Sequence, residues 1–158
     1  MNNPALAGII DKFAIHDLLI RYATALDTRD WSLLRTCFLD DIVATYETIG
    51  EQHGYVEVER LCRRVLEPLA GSHHMITNIT ADIDGDTACT TCYLQSTHIR
   101  AEPGGDNWVV AGFYSDVVVR TDEGWRIARR SLRRIWTQGR LPATSPADQQ
   151  VHADEAVG

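Results

Sequence analysis

The chain has 158 residues, 44% of them hydrophobic and 23% charged, and its 15 basic and 22 acidic side chains give a formal net charge of −7. That length suits one domain with a single sizeable core, and the apolar fraction excludes a disordered chain. An acidic balance argues against a nucleic-acid binder or a binder of anionic membranes, since both need a positive face.

No run approaches the roughly 18 apolar residues of a membrane span; the longest, such as Val117-Val118-Val119, are strand-sized. Met1-Asn2-Asn3-Pro4 has neither the basic nor the apolar region of a signal peptide, which points to the cytoplasm. The four cysteines, Cys37, Cys62, Cys89 and Cys92, are then expected to be small core residues rather than a disulfide framework.

The first structural signal is Ile15, Leu18, Leu19, Tyr22, Ala23 and Leu26, which follow the spacing of one apolar helix face. The pattern predicts a helix over residues 11–28. Asp30 then reads as the N-cap of a short second helix carrying Trp31, Leu34 and Phe38 and closed by Asp40-Asp41. Residues 42–48 are β-branched and aromatic enough for a strand, and Gly54 opens a third helix through about Leu69, with Val58, Leu61, Val65 and Leu69 inward. Four long β-rich segments follow, at 73–83, 87–101, 108–121 and 125–136, separated by turn signals such as Asp84-Gly85-Asp86 and Asp122-Glu123-Gly124. Helices first and an antiparallel meander afterwards is an α+β arrangement, with the helices covering one face of a strongly curved sheet. Residues 1–139 form the expected domain. Residues 140–158 carry Pro142 and Pro146, an acidic bias and no periodicity, and read as an extended or partly ordered tail.

Several phrases in this order are those of a family. Ile15-His16-Asp17-Leu18-Leu19-Ile20-Arg21-Tyr22-Ala23 leads into Leu26-Asp27-Thr28-Arg29-Asp30-Trp31, then Cys37-Phe38 and Asp41. His74-Met75-Ile76-Thr77-Asn78, Asp84-Gly85-Asp86-Thr87-Ala88, Gly112-Phe113-Tyr114 and Gly124-Trp125-Arg126-Ile127 complete the set. Together they resemble the SnoaL-like branch of the nuclear-transport-factor-2-like superfamily, over about residues 10–139. The resemblance implies a cone-shaped barrel, in which a curved, mainly antiparallel sheet wraps three N-terminal helices around an apolar pocket. Its members include dehydratases, a dehydrochlorinase, isomerases, polyketide cyclases and non-catalytic assembly subunits.

Asp27 lies near the C-terminal end of the first predicted helix, bordering its apolar stripe. The helix dipole is negative there, so a carboxylate needs a cationic or hydrogen-bonding partner; otherwise it is a solvent-exposed group or a cap of the Asp27-Thr28-Arg29-Asp30 turn. His74 is the candidate partner, because imidazole accepts a proton at neutral pH. His73 adjoins it, and alternation along a strand lets only one of the two enter a pocket; a surface histidine pair is the other reading. The resemblance implies that Asp27 and the His74-x-x-x-Asn78 motif occupy the positions of an acid–base dyad, in which the carboxylate orients the imidazole.

Tyr22, Tyr46 and His98 match positions of further site residues in the dehydratases, and each is equally readable as a core or sheet residue. Tyr22 and Asp27 stand about 140° apart around an ideal helix, which puts their sharing one pocket in question. Asn78, Gly112, Phe113 and Tyr114 are the expected pocket lining, with the glycine widening it and whichever aromatic points inward forming a wall. Tyr22 stands where the dehydrochlorinase has a lysine, so dehydration or isomerisation is favoured over dehydrochlorination.

Cys89-Thr90-Thr91-Cys92 has the spacing of redox and zinc motifs, but in a strand residues three apart face opposite sides. No zinc signature, glycine-rich phosphate loop or dinucleotide fingerprint occurs, so neither metal nor cofactor is expected. Arg129 and Arg133 should face one way and Arg130 and Arg134 the other, at least one pair meeting acidic residues or a neighbouring subunit. These readings converge on a cofactor-independent lyase acting on a small hydrophobic cyclic or polycyclic substrate. His74 would be the base, Asp27 its orienter, Tyr46 and Tyr22 donors, and His98 an auxiliary acid. A cyclase or ketosteroid-type isomerase, or a non-catalytic binding or assembly subunit, are the alternatives. A homo-oligomer, dimer or trimer, is expected because an open curved sheet exposes apolar surface.

Overall fold

The computed structural model describes residues 4–47, 49–101 and 106–139. Helix α1 (Pro4–Thr28) is followed by α2 (Trp31–Arg35), strands β1 (Phe38–Tyr46) and β2 (Gly50–His53), and helix α3 (Tyr55–Leu66). Strands β3 (Gly71–Asp84), β4 (Thr87–Ile99), β5 (Trp108–Thr121) and β6 (Gly124–Gln138) complete the domain. The fold class is the expected α+β.

The six strands form one open mixed sheet in the order β2-β1-β6-β5-β4-β3. The last four make an antiparallel meander, while β1 adds parallel to β6 and β2 pairs antiparallel with β1. Alternation sorts β4 cleanly: Ala88, Thr90, Cys92, Leu94, Ser96 and His98 are buried against the helices and the intervening residues face out. Register shifts between Thr77 and Thr80, between Ala111 and Gly112 and between Val117 and Val118 mark bulges, which bend the sheet over its helical layer.

The stripe of α1 is buried as its spacing requires, but the helix starts seven residues earlier than the pattern indicates. Leu6, Ile9 and Ile10 in that leading segment, and Phe13 just after it, are exposed, so they carry no core-facing period to read. The end of α1 is sharp. Arg29 adopts a left-handed conformation (φ 55°), its N–H donates to Leu26 O (3.3 Å) and that of Asp30 to Ala25 O (2.9 Å), which is a Schellman termination. The Arg29 guanidinium then donates to Leu66 O (2.9 Å) and Leu69 O (3.1 Å), closing the C-terminal end of α3.

Several expected boundaries are corrected. Asp30 caps α2 through Leu33 N–H (2.8 Å), but α2 stops at Arg35, and Phe38, Asp40 and Asp41 lie in β1, which begins four residues before its β-branched stretch. The short, polar β2 was not visible as a strand because Gly-Glu-Gln-His has no apolar alternation. The proposed tail, residues 140–158, lies outside the described residues. Cys89 is exposed and Cys92 buried, so the C-x-x-C pair is split across the sheet.

Candidate active site

Two polar clusters lie on the helix-covered face of the sheet. The first joins α1 to β3 and β4. Asp27, in the last turn of α1, is held twice by His74 near the start of β3. The His74 backbone N–H donates to Oδ2 (2.8 Å), and ring Nδ1 lies 2.6 Å from Oδ1. The His74 side chain is 5% exposed and that of Asp27 22%. Half-burial pushes the Asp27 carboxyl up, but the hydrogen bonds from the His74 ring and backbone outweigh it and leave the group below its ordinary value. A carboxylate that accepts at Nδ1 places the proton there, which leaves Nε2 as the basic nitrogen. Nε2 makes none of the hydrogen bonds within the described residues. His73 faces outward and is exposed.

His98 on β4 packs its ring against that of His74 (centroids 5.9 Å) and against Trp108 (4.5 Å). Its Nδ1 lies 3.2 Å from Trp108 O. A carbonyl oxygen only accepts, so Nδ1 carries the hydrogen and Nε2 is an acceptor. Burial, reinforced by the neighbouring His74, pushes the imidazole down to about 4. A histidine held neutral in this way cannot supply a proton near pH 7, so the expected auxiliary acid is corrected to a hydrogen-bond acceptor.

The second cluster sits deeper, its Tyr114 row four strand positions from the His74 row and its ion pair six. Arg130 on β6 and Asp116 on β5 are direct cross-strand partners, joined by two hydrogen bonds of 2.8 and 2.7 Å, with neither side chain exposed. The guanidinium lies 4.1 Å from the ring centroid of Tyr22 and 4.0 Å from that of Tyr114, and those two hydroxyls are 3.1 Å apart. Burial raises both phenols, Tyr114 to about 12 and Tyr22 further, so both stay protonated donors. Arg130 Nη1, Tyr46 Oη and Thr90 Oγ1 are buried and have no partner among the described residues. Buried polar atoms are normally paired, so these three stand out as unsatisfied polar atoms in the buried interior.

The structure therefore brings Asp27, His74 and His98 together, and separately Tyr22, Tyr46 and Tyr114; no hydrogen bond, ion pair or ring contact among the described residues joins the groups. Three expected pocket residues are corrected. Phe113 faces outward and packs on Tyr93 (centroids 4.6 Å). Asn78 is exposed in the β3 bulge, at φ 52°. Gly112 does not widen a pocket: a Cβ there would lie 2.3 Å from Arg133 O, so glycine is needed for the close approach of β6. Sequence reasoning missed the pairing of Arg130 with Asp116. The opposite charges on neighbouring strands were visible, but not which of the four arginines would face Asp116. Among the described residues no group of three His, Cys, Asp or Glu side chains is arranged to hold a metal, and no helix is long and apolar enough to cross a membrane.

Comparison with known proteins places this geometry in context. The SnoaL-like domain family model matches residues 9–131. A protein of unknown function from Mycobacterium tuberculosis is 31% identical over 127 residues, covering 80% of this chain and 86% of its own. Among solved structures, a protein from Kribbella flavida superposes with a TM-score of 0.78 at 26% identity, covering 83% of this chain and 95% of that one. A Novosphingobium aromaticivorans protein described as a candidate scytalone dehydratase gives 0.78 at 22%, with 84% and 89% covered. A hexachlorocyclohexane dehydrochlorinase gives 0.77 at 21%, with 88% and 98% covered. At those last two identities the likeness is one of fold.

Proposed function

As the chain belongs to the SnoaL-like domain family and turns two polar clusters inward, we propose that it is a cofactor-independent lyase that eliminates water from a hydrophobic cyclic substrate. The observation that carries the reading is the His74 imidazole, buried, tautomerically set by Asp27 and presenting Nε2 without a protein partner. A structural histidine would have both nitrogens satisfied.

In this reading Nε2 of His74 removes a proton from the carbon next to a carbonyl, and Asp27 stabilises the resulting imidazolium. The electron pair of the broken C–H bond moves to the carbonyl oxygen. Tyr46 Oη and Arg130 Nη1, both buried and unpartnered, belong to the deeper cluster and are donors suited to a second polar group at the far end of the substrate. The enolate then collapses, the carbon–oxygen bond of the β-hydroxyl breaks, and the imidazolium returns its proton so that water leaves. His98 Nε2 accepts a hydrogen bond from a substrate hydroxyl. Four strand positions separate the His74 row from the Tyr114 row, about 13 Å at 3.3 Å per residue, which suits a polycyclic molecule better than a single ring.

The test is a panel of cyclic and polycyclic β-hydroxy ketones incubated in deuterated water and read by mass spectrometry. Loss of water with the wild-type protein and none with His74→Ala supports the proposal. Deuterium uptake next to the carbonyl without loss of water would instead make the protein an isomerase or cyclase. Identical behaviour of wild type and His74→Ala on every accepted substrate sinks the catalytic assignment.

A further inference from the structure

Both hydrogen bonds that hold the Asp27 carboxylate come from one residue, His74, through its ring and its backbone. The carboxylate's one ion pair among the described residues is with the same ring. The nearby Arg29 guanidinium donates elsewhere, to the Asp27 main-chain oxygen (3.4 Å) and to the carbonyls that end α3. A carboxylate offers about four lone-pair sites, so these contacts leave part of its capacity open. Tied to its partner alone, it would follow the imidazole rather than hold it.

A donor of independent origin stands two residues before His74. Across to β4, Ser72 pairs with His98 and His74 with Ser96, and both of those β4 residues are buried on the helix-covered face. Residues two apart on a strand share a face, so Ser72 points the same way as His74, while His73 between them is exposed. Ser72 Oγ is buried and forms no hydrogen bond that satisfies it among the described residues, an uncommon condition for a hydroxyl. The same hydroxyl is one of the groups that hold the Asp27 carboxyl below its ordinary value. Serine turns about a single side-chain torsion, and an O–H bond to a charged oxygen is of the strong kind that rewards such a turn.

We propose that Ser72 is a positioning residue of this site, whose hydroxyl donates to the Asp27 carboxylate and keeps Oδ1 in line with Nδ1 of His74. The inference rests on the reading of His74 as the base. When Nε2 takes a proton, the imidazolium pulls harder on Oδ1. The Ser72 hydroxyl and the His74 backbone N–H then keep the carboxylate plane from swinging with the ring, and Nε2 stays aimed at the carbon it serves. Ser72 acts through Asp27 and touches no reacting atom, so its removal should lower kcat and leave KM alone.

Ser72→Ala, Ser72→Thr and His74→Ala of the full chain test it, with circular dichroism confirming that each is folded. Two NMR readings need no substrate. In Ser72→Ala the carbon-13 titration of the Asp27 carboxyl should move up toward the ordinary value, since a donor to the charged form is lost. The Nδ1 proton of His74 should shift upfield in the same variant, as its bond to Oδ1 lengthens. Ser72→Thr keeps the hydroxyl and should return both signals toward their wild-type positions, which a purely structural role would not require. On the β-hydroxy ketone that the wild type dehydrates, Ser72→Ala should lower kcat about tenfold, the order expected for one hydrogen bond to a charged group, with KM unchanged. Unmoved Asp27 and His74 signals in Ser72→Ala overturn the proposal, as does a raised KM with kcat intact, which would make Ser72 a substrate contact. Full turnover in His74→Ala overturns instead the reading on which the inference rests, and signals that have moved as expected tell the two failures apart.

Discussion

Asp27 holds His74 by two bonds of different kinds: Oδ2 accepts the backbone N–H at 2.8 Å and Oδ1 meets ring Nδ1 at 2.6 Å. The first fixes where β3 begins relative to the end of α1, and the second fixes which ring nitrogen is basic. Asp27→Asn keeps the shape and removes the charge that sets the tautomer. Nitrogen-15 NMR should show the Nδ1–H form of His74 in the wild type and a mixture of tautomers in the variant. Turnover of any accepted substrate should fall about 10²- to 10⁴-fold with little change in melting temperature. Retention of a single Nδ1–H tautomer in Asp27→Asn would remove the orienting role.

The depressed His98 makes stability depend on mildly acidic pH. Its folded value of about 4 lies below the ordinary 6.5, so between those pH values the unfolded chain binds a proton that the folded chain refuses. Stability therefore rises with pH across that window, by up to about 3 kcal/mol. Urea unfolding from pH 4 to 7 should show this slope and His98→Phe should flatten it. Asp27 works in a lower window: its folded value lies below its ordinary one, so its contribution is present above pH 4 and lost as pH falls further.

Arg130 and Asp116 are wholly buried, and removing one partner strands a charge. Arg130→Met or Asp116→Leu alone should each cost about 3–5 kcal/mol, whereas the double variant should recover most of that loss, because two apolar side chains leave no uncompensated ion. Denaturant titration of the three variants reads the result. A double variant as unstable as the sum of the singles would show that the pair holds the fold by more than mutual compensation.

Gly112→Ala should destabilise by about 1–3 kcal/mol through overpacking against the β6 backbone, since the nearest atom to the new methyl is Arg133 O at 2.3 Å. A melting temperature equal to that of the wild type would mean that the strands separate freely at this point.

The inward face of the meander was legible because period-two alternation survives in β4, and the buried stripe of α1 because its 3.6-residue period is clean. The start of α1 was not, since Leu6, Ile9, Ile10 and Phe13 are exposed among the described residues and no buried face imposes a phase on them. In the site, the helix dipole at the end of α1 gave Asp27 the need of a partner, and the resemblance to the family named His74 for it. Phe113 against Tyr114 could not be settled, because both are aromatic and the phase of β5 is set by bulges at Ala111/Gly112 and Val117/Val118, which composition does not announce. Arg130 was ambiguous for the same reason: four arginines on one strand hide which of them meets Asp116.

Strand β6 is last in sequence among the described elements, yet it lies between β1 and β5 in the sheet. Until it is made, β1 is paired on one side only and β5 is a bare edge, a state prone to wrong pairing with other chains. The native sheet then requires contacts between the two ends of the domain, which slows folding relative to a purely local meander. A chain cut short before Gly124 would accordingly be not a smaller version of this domain but two unjoined pieces of sheet.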